Sequence, residues 1–147
     1  MEIKHFMLGN WVSVDCIPYA HAFRIANLTE KGVVIENENG RHQSICSYDV
    51  LNKIPLTDDF FKRNEFTFYD NSDGSQSILA KDNKGPATTR RMHDKGFPEY
   101  SITGIIVRSV DEWQNIMHVC GCSDIADSVV VKPHDYPNIY ASRDIAD

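Results

Sequence analysis

The stretch Ile54-Pro55-Leu56-Thr57-Asp58-Asp59-Phe60-Phe61-Lys62-Arg63-Asn64-Glu65-Phe66 decides how the chain is organised. Pro55 lacks an amide hydrogen and pushes Ile54 towards extended geometry. Thr57 can accept a hydrogen bond from the first free amides of a following turn, and Asp58 and Asp59 suit a helix's positive end. Phe60, Phe61 and Phe66 supply a face that must dock on other residues. An extended region therefore ends here and a helix over Asp58 to Asn64 begins, short enough that packing rather than propensity must hold it.

Upstream of this hinge the pattern is one of strands and turns. Leu8, Trp11, Val12 and Val14 follow or flank a turn or bulge at Gly9-Asn10. Ala20 to Leu28 alternates through Ala20, Ala22, Ile25 and Leu28. Lys31-Gly32 turns into the β-branched run Val33-Val34-Ile35. Asn37-Glu38-Asn39-Gly40 is the strongest hairpin turn, because Asn-Gly tolerates positive φ angles. Gln43 to Tyr48 returns, with Ile45 expected inside. Four or five short strands at this spacing predict a small β-barrel or a meander.

Downstream, Glu65 to Tyr69 and Gln76 to Lys81 flank the turn Asn71-Ser72-Asp73-Gly74-Ser75, which predicts a second hairpin. Asp82 to Glu99 reads as a long polar loop. Tyr100 to Val107 reads as one strand. Ser109 or Asp111 caps a helix from Asp111 to Cys120. Its apolar stripe is Trp113, Ile116, Met117 and Cys120, and Gly121 stops it. Ser128 to Lys132 reads as a last strand. The tail from His134 to Asp147 has no period and is expected to be loosely held.

The whole composition suits a globular fold. The 147 residues are 41% hydrophobic and 24% charged, with a net charge of −6. That charge repels phosphate backbones, so a nucleic-acid role needs a local basic patch. No apolar run approaches the roughly 20 residues of a bilayer helix, so no membrane partner is expected. Met1 to Asn10 makes a poor signal peptide. A cytoplasmic location follows as the expectation, with Cys16, Cys46, Cys120 and Cys122 as reduced, mostly buried small hydrophobes.

Three stretches carry a resemblance: Met7-Leu8-Gly9-Asn10-Trp11-Val12, Ile54-Pro55-Leu56-Thr57-Asp58-Asp59-Phe60 and Val110-Asp111-Glu112-Trp113-Gln114-Asn115-Ile116-Met117. In order and spacing they resemble a group of small uncharacterised proteins of gut Bacteroidetes and their phages or mobile elements. That group shows Leu-Arg-x-Gly-Asn-x-Val, Pro-Ile-Pro-Leu-Thr-Glu-Glu-x-Leu and His-Glu-Leu-Gln-Asn-Leu-Tyr in the corresponding places. Asn64-Glu65-Phe66 stands where the group usually has Gly-Phe, and His118-Val119-Cys120-Gly121 replaces its Ala-Leu-Thr-Gly. The resemblance implies a bacterial or phage cytoplasmic protein whose opening half is SH3-like. It supplies no catalytic residues.

Candidate chemistry is sparse. His118-x-Cys120-x-Cys122 is tighter than a zinc knuckle, and no second cysteine pair exists to complete a tetrahedron. Lys81, Lys84, Arg90, Arg91, His93 and Lys95 form a basic stretch that could hold a phosphate backbone; the plainer reading is a solvated loop. Phe97 and Tyr100 are its only aromatics, which gives base stacking little support. Asp70, Ser72, Asp73 and Gly74 resemble a calcium loop, but Lys81 stands where the twelfth-position glutamate belongs. No phosphate loop, nucleophile elbow or His-Glu-x-x-His appears, and His5, His21, His42, His93, His118 and His134 are scattered. Asp111 and Glu112 belong to a helix's positive end rather than to a carboxylate pair. Trp11, Trp113, Phe60, Phe61 and Phe66 read as core, although an exposed Trp11 would mark a partner site.

The sequence thus predicts an α+β protein. It has an SH3-like β subdomain over 1–54, an α+β subdomain with two short helices over 55–132, and a loose tail over 133–147. The expected role is a non-enzymatic protein-interaction module with no cofactor, metal or catalytic residue. Trp11, Arg90, Arg91 and Lys95 are the candidate partner-binding residues. The alternative is a nucleic-acid-binding accessory protein using 81–95. The sequence does not fix an oligomeric state.

Overall fold

The computed structural model describes residues 6–14, 22–37 and 43–131. Cys16, the turn residues 38–40, His5, His21, His42, Lys132 and the tail lie outside the described residues. The fold is mixed α+β, with two antiparallel five-stranded sheets. The chain divides into two compact units after Ile54 and again after Val129, where Val130 rejoins the first.

In the first unit β1 (Trp11–Val14), β2 (Phe23–Thr29), β3 (Gly32–Glu36), β4 (Gln43–Cys46) and β5 (Leu51–Lys53) pair in the order β4-β3-β2-β1-β5. β1 to β4 follow one another as in a meander, but β5 crosses back to pair with β1, and among the described residues the sheet does not close into a barrel. A 3-10 turn at Tyr48–Val50 leads into β5, with the Ser47 hydroxyl accepting from the Asp49 amide. All four residues of β1, a strand paired on both sides by β2 and β5, are buried. Before it, Gly9 donates to the Ile25 carbonyl and Ile25 donates back to Asn10. Val12, Val14, Ile25, Val33, Ile35 and Leu51 form the core with Phe6.

One expectation fails here, and the register explains it. Ile45 is 61% exposed. It pairs with Val34, whereas its neighbour Cys46 pairs with Val33. Side chains alternate faces along a strand, so turning Cys46 towards the core turns Ile45 out.

The second unit contains α1 (Asp58–Arg63), β6 (Thr67–Asp70), β7 (Gln76–Leu79), β8 (Thr88–Met92), β9 (Pro98–Ile102), β10 (Ile105–Val107), α2 (Val110–Val119) and α3 (Ser123–Ser128). Thr57 caps α1 through a hydrogen bond from the Phe60 amide. Phe60 and Phe61 are fully buried. Phe61 meets the rings of Phe60, Phe66, Phe68, Tyr100 and Trp113 at centroid separations of 5.2–6.5 Å. Burying each large apolar side chain contributes about 1.5–3 kcal/mol. Edge-to-face ring pairs add about 0.5–1.5 kcal/mol each. Glu65 closes the helix with a left-handed φ of 65°.

The sheet runs β10-β9-β8-β7-β6, and the hairpin expected over Glu65 to Lys81 is β6–β7. The expected polar loop over Asp82 to Glu99 instead contains β8, a central strand, and the start of β9. β8 carries Thr88-Thr89-Arg90-Arg91, so it lacks the apolar alternation by which a strand is read. Its inward residues are satisfied individually: Thr88 Oγ1 accepts from Trp113 Nε1 at 3.0 Å, and Arg90 is ion-paired. The single strand expected over Tyr100 to Val107 is a hairpin, β9–β10. Thr103 and Gly104 turn it with φ of 49° and 84°. Gly104 adopts that conformation without steric cost, and it was the overlooked signal.

Ser109 stands at the N-cap of α2 without a side-chain capping bond, and Glu112 Oε1 instead accepts from the Arg108 amide at 3.0 Å. The buried residues are Val110, Asp111, Trp113, Gln114 and Met117. Cys120, expected on that stripe, is exposed at the helix's end. A third helix, α3, was not expected, and residues 129–131 form no strand. Gln114 Nε2 donates to the Ala126 carbonyl at 3.0 Å and ties α2 to α3. With its polar group satisfied by that bond, Gln114 can sit among apolar neighbours.

Candidate functional site

The register of the second sheet builds a connected polar cluster. Gln76 pairs with Arg90 and Arg90 pairs with Tyr100, so the three stand in one row. Asp58, in the first turn of α1, meets that row. Arg90 Nε and Nη2 donate to its two carboxylate oxygens at 2.8 and 2.9 Å, and the Tyr100 hydroxyl donates at 2.6 Å. Arg90 Nη1 also donates to Gln76 Oε1 at 3.3 Å. Burial alone would raise the Asp58 pKa, but hydrogen bonds from Arg90 and Tyr100 and the guanidinium charge outweigh it and hold the carboxyl below its ordinary value. Burial and the bond to Asp58 push the Tyr100 hydroxyl well above its ordinary value. The bond to Asp58 raises Arg90 further. The cluster ties α1 to the sheet.

The proposed partner-binding residues are not brought together. Trp11 is 1% exposed, so it presents no ring to a partner. Arg90 and Arg91 lie on β8, not on a loop. Their charges are engaged, Arg90 by Asp58 and Arg91 by Asp73 at 3.0 Å. The Ser75 hydroxyl and amide, with Arg91 beyond them, hold the Asp73 carboxyl down at about 2. Lys95 sits alone of the four in the turn between β8 and β9, where His93 and Phe97 stack with centroids 4.4 Å apart.

The His-x-Cys-x-Cys stretch is a corner between α2 and α3. His118 Nδ1 lies 2.7 Å from Ser123 Oγ, and Nε2 lies 3.3 Å from Asp127 Oδ1. Cys122 Sγ lies 3.8 Å from the Cys120 carbonyl. Among the described residues no group of three or more His, Cys, Asp or Glu is placed to hold a metal ion. No helix among them is long and apolar enough to cross a membrane.

An open groove of about 640 Å³ lies between the β2–β3 turn and the end of β4 instead. Leu28, Lys31, Val33, Ile45, Cys46 and Tyr48 line it. Leu28 is 46% exposed and lies opposite Val33, at the end of the β2–β3 pair. The sequence places Ile45 inside and Leu28 in the alternation of its strand, because apolar residues at strand spacing read as core. The missing signal was the register shift between Ile25 and Asn27, which interrupts the alternation before Leu28. Comparison with protein-family models, curated proteins and solved structures gives no match.

Proposed function

We propose that the protein is an interaction module that acts by binding another protein. Its groove between the β2–β3 turn and the end of β4 receives an extended partner segment with an apolar residue. The observation that carries this reading is the joint exposure of Leu28 and Ile45 beside Tyr48 around that groove. We read the first unit as SH3-like. Its strand order, the pairing of β1 with β5 and the 3-10 turn before β5 support that reading. Domains of that kind take proline-rich or otherwise extended peptides in shallow grooves, an argument by analogy of fold. A cytoplasmic bacterial or phage protein of the uncharacterised group described above is consistent with it.

The alternative, a nucleic-acid accessory role for 81–95, is weakened by the carboxylates that engage Arg90 and Arg91. Lys81, Lys84 and Lys95 remain exposed. The two readings part on one experiment. The full chain is screened against an array of extended, proline-containing peptides, and separately against single- and double-stranded DNA at low salt. Peptide binding that falls at least about tenfold in Ile45→Lys, a loss of about 1.4 kcal/mol, supports the module. Equal binding by Ile45→Lys, or no peptide bound, refutes it. Salt-dependent DNA binding that is lost in Lys95→Ala establishes the alternative.

A further inference from the structure

The corner between α2 and α3 carries an arrangement that the binding reading leaves unused. His118 stands in the last turn of α2. Ser123 and Asp127 stand four residues apart on α3, hence on one face. The chain doubles back through Gly121, which puts both side chains in reach of one imidazole. The Ser123 hydroxyl is 2.7 Å from Nδ1, and the Asp127 carboxylate is 3.3 Å from Nε2.

The direction of the bond between Nδ1 and Ser123 follows from the tautomer. The Asp127 carboxylate faces Nε2 and, being ionised, only accepts, so it favours the tautomer with the hydrogen on Nε2. In the neutral imidazole Nδ1 is then bare and accepts the Ser123 proton. A hydroxyl aimed at a base that is itself braced by a carboxylate is the order of groups that activates a serine. Ser123 is exposed, so an electrophile can reach it from solvent.

We propose that Ser123 is a self-acylating serine, activated by His118 and Asp127, that takes the acyl group of a small activated ester. Ser123 Oγ adds to the ester carbonyl carbon as its proton passes to His118 Nδ1. The bond from that carbon to the leaving oxygen breaks, and the leaving alkoxide or phenoxide takes the proton from the imidazolium. One acyl–oxygen bond forms, one breaks, and no electrons are exchanged. Asp127 is a positioning residue: it holds the ring and the tautomer. This reactivity is separate from the groove of the first unit, and either can fail alone.

The test uses the full chain with Cys120→Ser, which removes a competing exposed thiol. The probe is p-nitrophenyl acetate. Release of nitrophenolate is followed, and the acetyl group is mapped by mass spectrometry of peptides. Acetylation of Ser123 is expected, with a rate that falls at least about 100-fold in His118→Gln, the scale of a lost general base. Asp127→Asn is expected to slow it and Asp127→Glu to restore it, which a merely structural carboxylate would not require. Circular dichroism checks each fold. Should His118→Gln unfold, Asp127→Asn at a 52% exposed position carries the comparison. Absence of acetyl on Ser123, or an unchanged rate in the folded variants, overturns the proposal.

Discussion

Asp58→Asn is the most informative single change in the second unit. The carboxylate accepts three hydrogen bonds, two from Arg90 and one from Tyr100. Asparagine keeps one acceptor oxygen, removes the charge and offers an NH2 group where an oxygen stood. Hydrogen bonds to charged groups contribute about 1.5–3 kcal/mol each. Removing one partner of a fully buried ion pair costs about 3–5 kcal/mol. Here the Arg90 and Asp58 side chains are 19% and 29% exposed, which pulls the figure towards the value below about 1 kcal/mol of surface pairs. The expected loss is about 2–3 kcal/mol at pH 7, read from urea unfolding with an unchanged m-value. The folded pKa of Asp58 lies below its ordinary value, so the stabilisation is complete above the unfolded pKa of about 3.9. It is lost as pH falls through the lower, folded value. The gap between wild type and Asp58→Asn should therefore close in acid. A double-mutant cycle with Tyr100→Phe should show coupling of at least about 0.5 kcal/mol. A cost below about 0.5 kcal/mol at pH 7, or a gap that stays open in acid, would refute the reasoning.

Other changes test other parts of the structure. Thr88→Val leaves the buried Trp113 indole N–H without its acceptor and should cost about 1–3 kcal/mol by urea titration. Glu65→Gly removes the strain of a left-handed glutamate and should stabilise by up to about 1 kcal/mol, seen as a higher melting temperature. Ile45→Lys should leave the melting temperature nearly unchanged, within about 0.5 kcal/mol, because that side chain faces solvent.

Much of the scaffold was legible because local chemistry and tertiary context agreed. The Thr57 cap, the acidic first turn of α1, the docked Phe60 and Phe61 and the succession of short strands in the first unit all point one way. Legibility failed where polar side chains occupy interior positions. Thr88 and Arg90 face inwards with specific partners, so β8 looked like a loop. It failed again where one residue of register decides a face. The step from Ile45 to Cys46 exchanged an expected core residue for an exposed one, and with it concealed the groove. The two arginines looked like ligands for phosphate because their carboxylates lie 32 and 18 residues away in sequence. In the sequence the corner at His118 is marked by its cysteines, and only the unexpected helix α3 brings Ser123 and Asp127 to the ring.

Open sheets have outer strands, and this chain keeps them brief. β5 and β10 are three residues long, β4 and β6 four. A rim that short exposes few unsatisfied amides in register. It gives a stray chain little template for cross-β growth, even where Ile105 and Ile106 make β10 greasy. Lengthening β10 by a few alternating aliphatic residues would remove that protection, and fibril nucleation in stored protein would be the first symptom.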